Sequence, residues 1–103
     1  MDQELKAKWV AALRSGTYTQ GRAKLKDEAG AMCCLGVLRE IIEPGCEEVN
    51  DDEGEYLPSR FHTATGLAWV TQDLLAGMND GNELKRIKRH SFAEIANWIE
   101  ANL

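Results

Sequence analysis

The segment that decides the fold runs from Cys34 to Ile42 and reads Cys-Leu-Gly-Val-Leu-Arg-Glu-Ile-Ile. Its apolar side chains point to almost every side of a helix, which is typical of a helix buried in the middle of a small core. Pro44 and Gly45 follow closely and predict the end of the helix. We therefore predict a central buried helix over residues 34–42.

Two amphipathic helices are predicted to pack on this central helix. Residues 3–14 carry apolar side chains at helical spacing, and Ser15-Gly16 is a common helix stop. Near the other end of the chain, Ser91 and Glu94 have the spacing of a capping box. The apolar stripe that follows the box consists of Phe92, Ile95, Ala96, Ile99 and Leu103.

Two shorter helices are predicted between them. The first covers Ser59–Thr65, because Pro58 favours a first helical turn and Gly66 favours a stop. The second covers residues 72–78 and has Thr71 as its cap. The connecting pieces are a short extended stretch at residues 67–70 and a turn at Asn79-Asp80-Gly81.

Two segments are predicted to form short antiparallel hairpins, at residues 22–33 and 46–57. Polar and apolar residues alternate in the first segment before the turn-like sequence Asp27-Glu28-Ala29-Gly30. With 103 residues, the chain has the length of one domain. The predicted fold class is therefore α+β, a single domain over residues 1–103 with three or more helices and one or two hairpins.

Charge and composition exclude several classes of protein. The chain has 12 basic and 17 acidic side chains, and its formal net charge of −5 argues against a general nucleic-acid binder. It has neither a secretory signal pattern nor an apolar run of the roughly 18 residues that a membrane span needs. Its three cysteines, two of them adjacent, are typical of a reducing compartment. We expect a cytoplasmic protein.

The acidic charge is concentrated between residues 40 and 55, where eight acids occur without a Lys or Arg. The spacing around Gly54 does not match a calcium-binding EF-hand loop, so this run predicts a solvated loop. Asp51, Asp52 and Glu53 are its candidate partner-binding residues. The basic stretch at residues 83–90 is interpreted as a solvated face, and the sequence predicts no metal and no cofactor.

Polar residues elsewhere are candidates for a ligand or partner site. The segment Gly16–Ala23 has the glycine spacing of a phosphate-binding loop but lacks the required Lys and Ser or Thr. Its polar residues could nevertheless line a pocket together with a polar pair later in the chain. The candidates are Tyr18, Gln20, Arg22, Asn79 and Asp80.

Several stretches resemble a family of small, uncharacterised phage and prophage proteins. They are the segment from Trp9 to Gly21, the block Cys33-Cys34-Leu35-Gly36-Val37-Leu38, the stretch Met78-Asn79-Asp80 and the segment from Ser91 to Glu100. The resemblance implies a bacterial cytoplasm as the place of action. It also implies a protein that binds a host component, including components of defence systems, because small phage proteins often act in this way.

Three functional hypotheses follow. The leading one is a non-enzymatic phage-type protein that binds a host or viral protein, and its narrower version is an inhibitor of a bacterial defence system. The alternatives are a small-ligand or nucleotide-binding module built on the polar candidates, and an enzyme that uses Cys33 or Cys34 with a histidine as base. The sequence shows no third residue to orient that base, which disfavours the enzyme.

Overall fold

The structure, a computed structural model, describes residues 1–46, 56–84 and 86–103. Within these ranges the chain forms five helices. They are α1 (Gln3–Arg14), α2 (Cys34–Ile42), α3 (Arg60–Thr65), α4 (Trp69–Asp80) and α5 (Phe92–Asn102). None of the helices in these ranges has the length and hydrophobicity that crossing a bilayer requires.

The four longer helices pack in a closed ring. Helix α1 packs on α2 and α5, and α4 packs on the same two helices from the other side. Helix α2 is the central element, because Leu35, Val37 and Leu38 are completely buried. The predictions of helices over residues 3–14 and 34–42 are confirmed, as is the C-terminal helix with its Ser91 and Glu94 capping box.

Gly36 explains how closely α2 packs on the chain before it. A side chain at this position would overlap the carbonyl oxygen of Leu25, and its Cβ would lie 2.7 Å from the Leu25 carbonyl carbon. Only glycine permits this approach of two backbones. On another side of α2, the indole nitrogen of the buried Trp9 donates a hydrogen bond to the carbonyl oxygen of Cys34 at 2.9 Å. These contacts fix α2 against the loop and against α1.

Helix α3 confirms the predicted helix at 59–65 to within one residue. Ser59 is its N-cap, and Gly66 ends it with a left-handed backbone at φ 68°. Arg60 joins α3 to the end of α2 by donating to Glu43 at 2.6 Å. This hydrogen bond, together with the nearby positive charge, lowers the pKa of the Glu43 carboxyl.

The α+β prediction is wrong, because the described residues contain five helices and no sheet. The β-type pairing among them consists of three isolated bridges, two of which involve Met32. In the segment 22–33, Ala23 has φ 61°, which interrupts an extended strand. Asp27 then accepts hydrogen bonds at 2.9 Å from the backbone N–H groups of Ala29 and Ala31. The predicted hairpin is therefore a compact loop whose Leu25 side chain is buried in the core.

The other predicted hairpin falls at 46–57, and residues 47–55 lie outside the described residues. The extended piece predicted at 67–70 and the cap predicted at Thr71 are also wrong. Helix α4 begins at Trp69 with Ala68 as its N-cap, and the first bonds of its backbone lead back to the Ala68 carbonyl. The turn predicted at 79–81 is corrected in the same way, since α4 continues to Asp80 and ends at Gly81.

Candidate functional site

Four of the polar candidates come together at the end of α4, with Asn79 at the centre. Asn79 is completely buried. Its Oδ1 accepts hydrogen bonds from the Cys34 backbone N–H at 3.2 Å and from Gln20 Nε2 at 3.0 Å. Its Nδ2 donates to the Gly21 carbonyl and to Asp80 Oδ1, both at 2.8 Å. An amide offers two acceptor positions and two donor hydrogens, so Asn79 has no capacity left for a ligand.

Its three neighbours are also engaged with the protein itself. Gln20 donates a second hydrogen bond to the His90 carbonyl at 2.8 Å. Arg22 donates to the backbone carbonyl of Asp80 at 2.6 Å, and Asp80 Oδ1 accepts from the Ala23 N–H at 3.2 Å. These contacts tie the loop after α1 to the end of α4. We interpret the cluster as a structural connection rather than as a binding pocket.

The remaining predicted site residues are placed elsewhere. Tyr18 is half-buried, packs against the hydrophobic core and makes none of the hydrogen bonds described for this cluster. Asp51, Asp52 and Glu53 lie outside the described residues.

The cysteines are buried in the protein. Cys33 and Cys34 are completely buried, and the Cys34 thiol donates to the Leu75 carbonyl at 3.6 Å. Cys46 is 8% exposed and accepts a hydrogen bond from Arg60 at 3.5 Å. A nucleophilic cysteine needs access to its substrate, so this arrangement does not favour the hypothesis of a cysteine enzyme. Within the described ranges, no group of three His, Cys, Asp or Glu residues is placed to hold a metal ion.

A groove of about 650 Å³ runs along the outer face of α4. Helix α4 contributes Val70, Leu74 and the small residue Gly77 to its lining, and Ile87 and Trp98 also line it. Val70 is 77% exposed and Leu74 is 38% exposed, although both belong to a helix whose other face is in the core. The groove therefore presents apolar surface to solvent.

An aromatic group lies at the start of α4, next to the groove. The ring of Trp69, which is 48% exposed, packs edge to face with Tyr56 at a centroid distance of 5.0 Å. His62 packs on Trp69 in the same manner at 5.4 Å. The Tyr56 hydroxyl donates to the carboxylate of Asp73 at 2.6 Å and so holds that carboxylate at the groove.

The described lining of the groove carries negative charge. The charged side chains among its described lining residues are Asp73 and Asp80, and no Lys or Arg is among them. Both acids belong to α4. A carboxylate-lined apolar groove disfavours phosphate-bearing ligands and favours ligands that combine apolar and basic groups.

The family model of a domain of unknown function, DUF8296, matches residues 1–75. The chain belongs to this family. Among curated proteins and among solved structures, none matches the chain. The DUF8296 match includes α1, α2, α3 and the first half of α4, together with the loop that packs on Gly36.

Within the DUF8296 match, Val70, Asp73 and Leu74 line the groove, and none of them was predicted as a site residue. The short extended piece predicted at 67–70 separated Val70 from the helix that follows it. With a continuous helix from Trp69, the sequence would have indicated a second apolar face, because Val70 and Leu74 lie four residues apart and share one side of the helix. Leu75 and Met78 then form a second, inward apolar face.

Proposed function

We propose that this chain is a non-enzymatic, phage-type protein that acts by binding a bacterial or phage protein in the bacterial cytoplasm. The groove along α4 is the surface through which it binds. The observation that carries this proposal is the exposure of Trp69, Val70 and Leu74 within six residues of one helix. Single exposed apolar residues are ordinary, whereas a contiguous apolar patch beside polar groups is typical of an interaction site. The resemblance to phage and prophage proteins supports the choice of partner.

The proposal is tested by affinity capture from a lysate of the native host, with the wild-type chain and two variants. The double variant Val70→Glu, Leu74→Glu places charge in the groove. Leu84→Glu is the matched control, because Leu84 is 98% exposed and does not line the groove. We expect the wild type and the control to retain the same partner and the double variant to lose it.

Circular dichroism and thermal melts establish that the wild-type chain and both variants are folded before they are used for capture. All three substituted positions are exposed, so we expect stabilities close to that of the wild type. Equal capture by the wild type and the double variant would reject α4 as the binding surface. Failure of the wild type to retain any host or phage protein would reject the proposal as a whole.

A narrower version concerns bacterial defence, in which the bound partner is a component of a defence system and binding inhibits it. Expression of the wild-type chain in a bacterium that carries the targeted system should then raise the plating efficiency of a restricted phage. The groove variant Val70→Glu, Leu74→Glu should leave plating at its restricted level. Equal plating with both proteins would contradict this version.

A further inference from the structure

We propose that the chain has a second contact surface, a basic end beside the groove that binds an acidic segment of the partner protein. This inference rests on the proposed function and adds the charge of a segment that the partner presents. The basic end consists of exposed side chains from two loops that meet at the end of α4. They are Arg22, Lys24, Lys26, Arg86, Lys88 and Arg89.

The charge of the chain is divided unevenly between this end and the rest. The segments 20–32 and 81–90 together contain seven basic and three acidic residues, whereas the remainder of the chain contains five basic and fourteen acidic residues. The net charge of −5 therefore does not describe these two segments, which are basic. A local excess of one sign attracts the opposite sign and repels its own, so it selects partners and orients them.

Hydrogen bonds hold the two loops at the same end of α4. Arg22 donates to the Asp80 carbonyl at 2.6 Å. Arg89 donates through Nε to the Asn79 carbonyl at 3.1 Å, so the two guanidinium groups lie at consecutive carbonyls. Each of these bonds uses one of the five donor hydrogens of an arginine. The helix end therefore positions both side chains and leaves most of their donors for an anion.

Contacts within the protein do not explain the charges at residues 86 and 88. Both side chains are exposed, and neither takes part in the ion pairs that the described residues form. Arg86 also has φ 54°, a left-handed backbone that glycine adopts freely and that other residues adopt at a cost. A charged side chain kept at a strained position, without a partner inside the fold, is typical of a residue that contacts another molecule.

The surroundings of the basic end favour an acidic protein segment over a nucleic acid. The segments 20–32 and 81–90 contain no Phe, Tyr or Trp on which a base could stack. Gly81 and Asn82 line the groove, so the basic end is continuous with a surface that carries negative charge. A long phosphate backbone would extend into this negative region, whereas a short acidic segment can end before it. One partner protein can therefore contact both surfaces.

The experiment measures binding of the full chain to three labelled probes by fluorescence anisotropy. Two are peptides of about 10 residues, which span at most about 35 Å when extended. One peptide alternates Glu with Ser and Gly, and the other has Gln in place of each Glu. The third probe is a DNA duplex of about 12 base pairs, roughly 40 Å long. We expect the Glu peptide to bind at least about tenfold more tightly than the Gln peptide, and more weakly as salt is added.

Two double variants assign the binding to the basic end. Arg86→Gly, Lys88→Gln removes two of its charges, and we expect it to weaken binding of the Glu peptide about tenfold. Lys6→Gln, Lys8→Gln removes the same charge from α1, outside both loops, and should change binding less than about twofold.

The single variant Arg86→Gly separates binding from folding. Glycine adopts a positive φ without strain, so the Tm should be unchanged or higher while binding of the Glu peptide becomes weaker. A lower Tm would show that the fold itself needs the Arg86 side chain and would overturn its assignment to a partner. Leu84→Glu adds an acid at a position that is 98% exposed, where solvent screens it, and should weaken binding less than about threefold.

Three further outcomes would overturn the inference: equal affinity for the two peptides, equal effects of the two double variants, or tighter binding of the DNA duplex than of the Glu peptide. The last of these would assign the basic end to a nucleic acid. Loss of the charge preference while host-protein capture stays sensitive to Val70 and Leu74 would reject this inference alone. Capture that is insensitive to these residues would reject the proposed function.

Discussion

Substitution of Asn79 by alanine tests whether the polar cluster is a structural connection. The change removes an amide with four hydrogen bonds inside the protein. Two of its partners are buried backbone groups, the Cys34 N–H and the Gly21 carbonyl, and each costs about 1–3 kcal/mol when left unpaired. The sum is about 2–6 kcal/mol. A domain of this length has a total stability of roughly 5–15 kcal/mol, so the loss should be large and measurable.

Thermal unfolding followed by circular dichroism provides the measurement. A loss of about 3 kcal/mol corresponds to a decrease in Tm of roughly 12–24 °C for a domain of this size. Asn97→Ala is the matched control, because Asn97 is exposed and its side chain accepts a hydrogen bond from Arg14 at the surface. We expect the control to change stability by less than about 0.5 kcal/mol. A loss below about 1 kcal/mol for Asn79→Ala would refute the structural interpretation of the cluster.

Three further predictions follow from individual contacts. Gly36→Ala should prevent normal packing of α2 on Leu25 and so lower the stability measured by chemical denaturation. Gly77→Ala should be close to neutral in the same measurement, because its Cβ would meet only the end of the flexible Ile87 side chain at 3.3 Å. Equal losses of stability in the two variants would contradict the close approach of α2 to Leu25. Hydrogen bonds from the Ser91 backbone and side chain lower the pKa of Glu94, so its stabilisation of α5 is present above the usual value of 4.5 and is lost as the pH falls through the lower folded value. The Tm difference between the wild type and Glu94→Gln should therefore shrink below about pH 4.5, and a constant difference would show that the carboxylate charge is unimportant. Nucleotides should cause no thermal shift, although a ligand at about 100 times its Kd would add roughly 2.7 kcal/mol; a clear shift would restore the hypothesis of a nucleotide-binding module.

The helices could be predicted from the sequence where local signals agree with burial. The segment 34–42 is apolar on nearly all sides, and it is buried from Cys34 to Arg39. The capping box of Ser91 and Glu94 is a local pair whose hydrogen bonds form within four residues. Neither signal depends on knowing which distant segment lies nearby, and this explains why both predictions are confirmed.

The hairpin prediction at 22–33 failed because the decisive interactions are not visible in a pattern of alternation. The Asp27 side chain accepts the N–H of Ala31 at 2.9 Å, a bond that competes with a regular strand ladder. The Met32 backbone donates to the Thr19 carbonyl and accepts from the Gly21 N–H, and Met32 also forms an isolated bridge with Lys26, which bends the loop into a compact shape. The side chains of Leu25 and Met32 are buried in the core, and the loop places them there without forming a sheet.

The candidate site could be predicted only in part. The structure brings together four of the candidates, Gln20, Arg22, Asn79 and Asp80. Their hydrogen bonds join segments about 60 residues apart, so sequence spacing alone does not show that these polar groups already have partners within the protein. A buried amide that uses all its bonding capacity and one that awaits a ligand look the same in a sequence. The groove was not predicted because its apolar side chains line up only when α4 begins at Trp69, whereas the predicted helix began at residue 72.

Helix α4 has one side in the core and another at the groove, so most of its residues allow folding and the proposed binding to be tested separately. On the inner side, Gln72 and Asn79 are completely buried seven residues apart, and Gln72 accepts the Leu57 N–H at 3.1 Å while donating to the Leu67 carbonyl at 3.3 Å. Each buried amide thus ties a loop to the helix. On the outer side, Asp73 and Asp80 have the same spacing and lie in the groove. Because Asp80 accepts a hydrogen bond from the Asn79 amide at 2.8 Å, changes at these two residues should couple in stability. Asp73 and Asn79 are six residues apart and have no shared hydrogen bond among those described, so changes at these two should act additively.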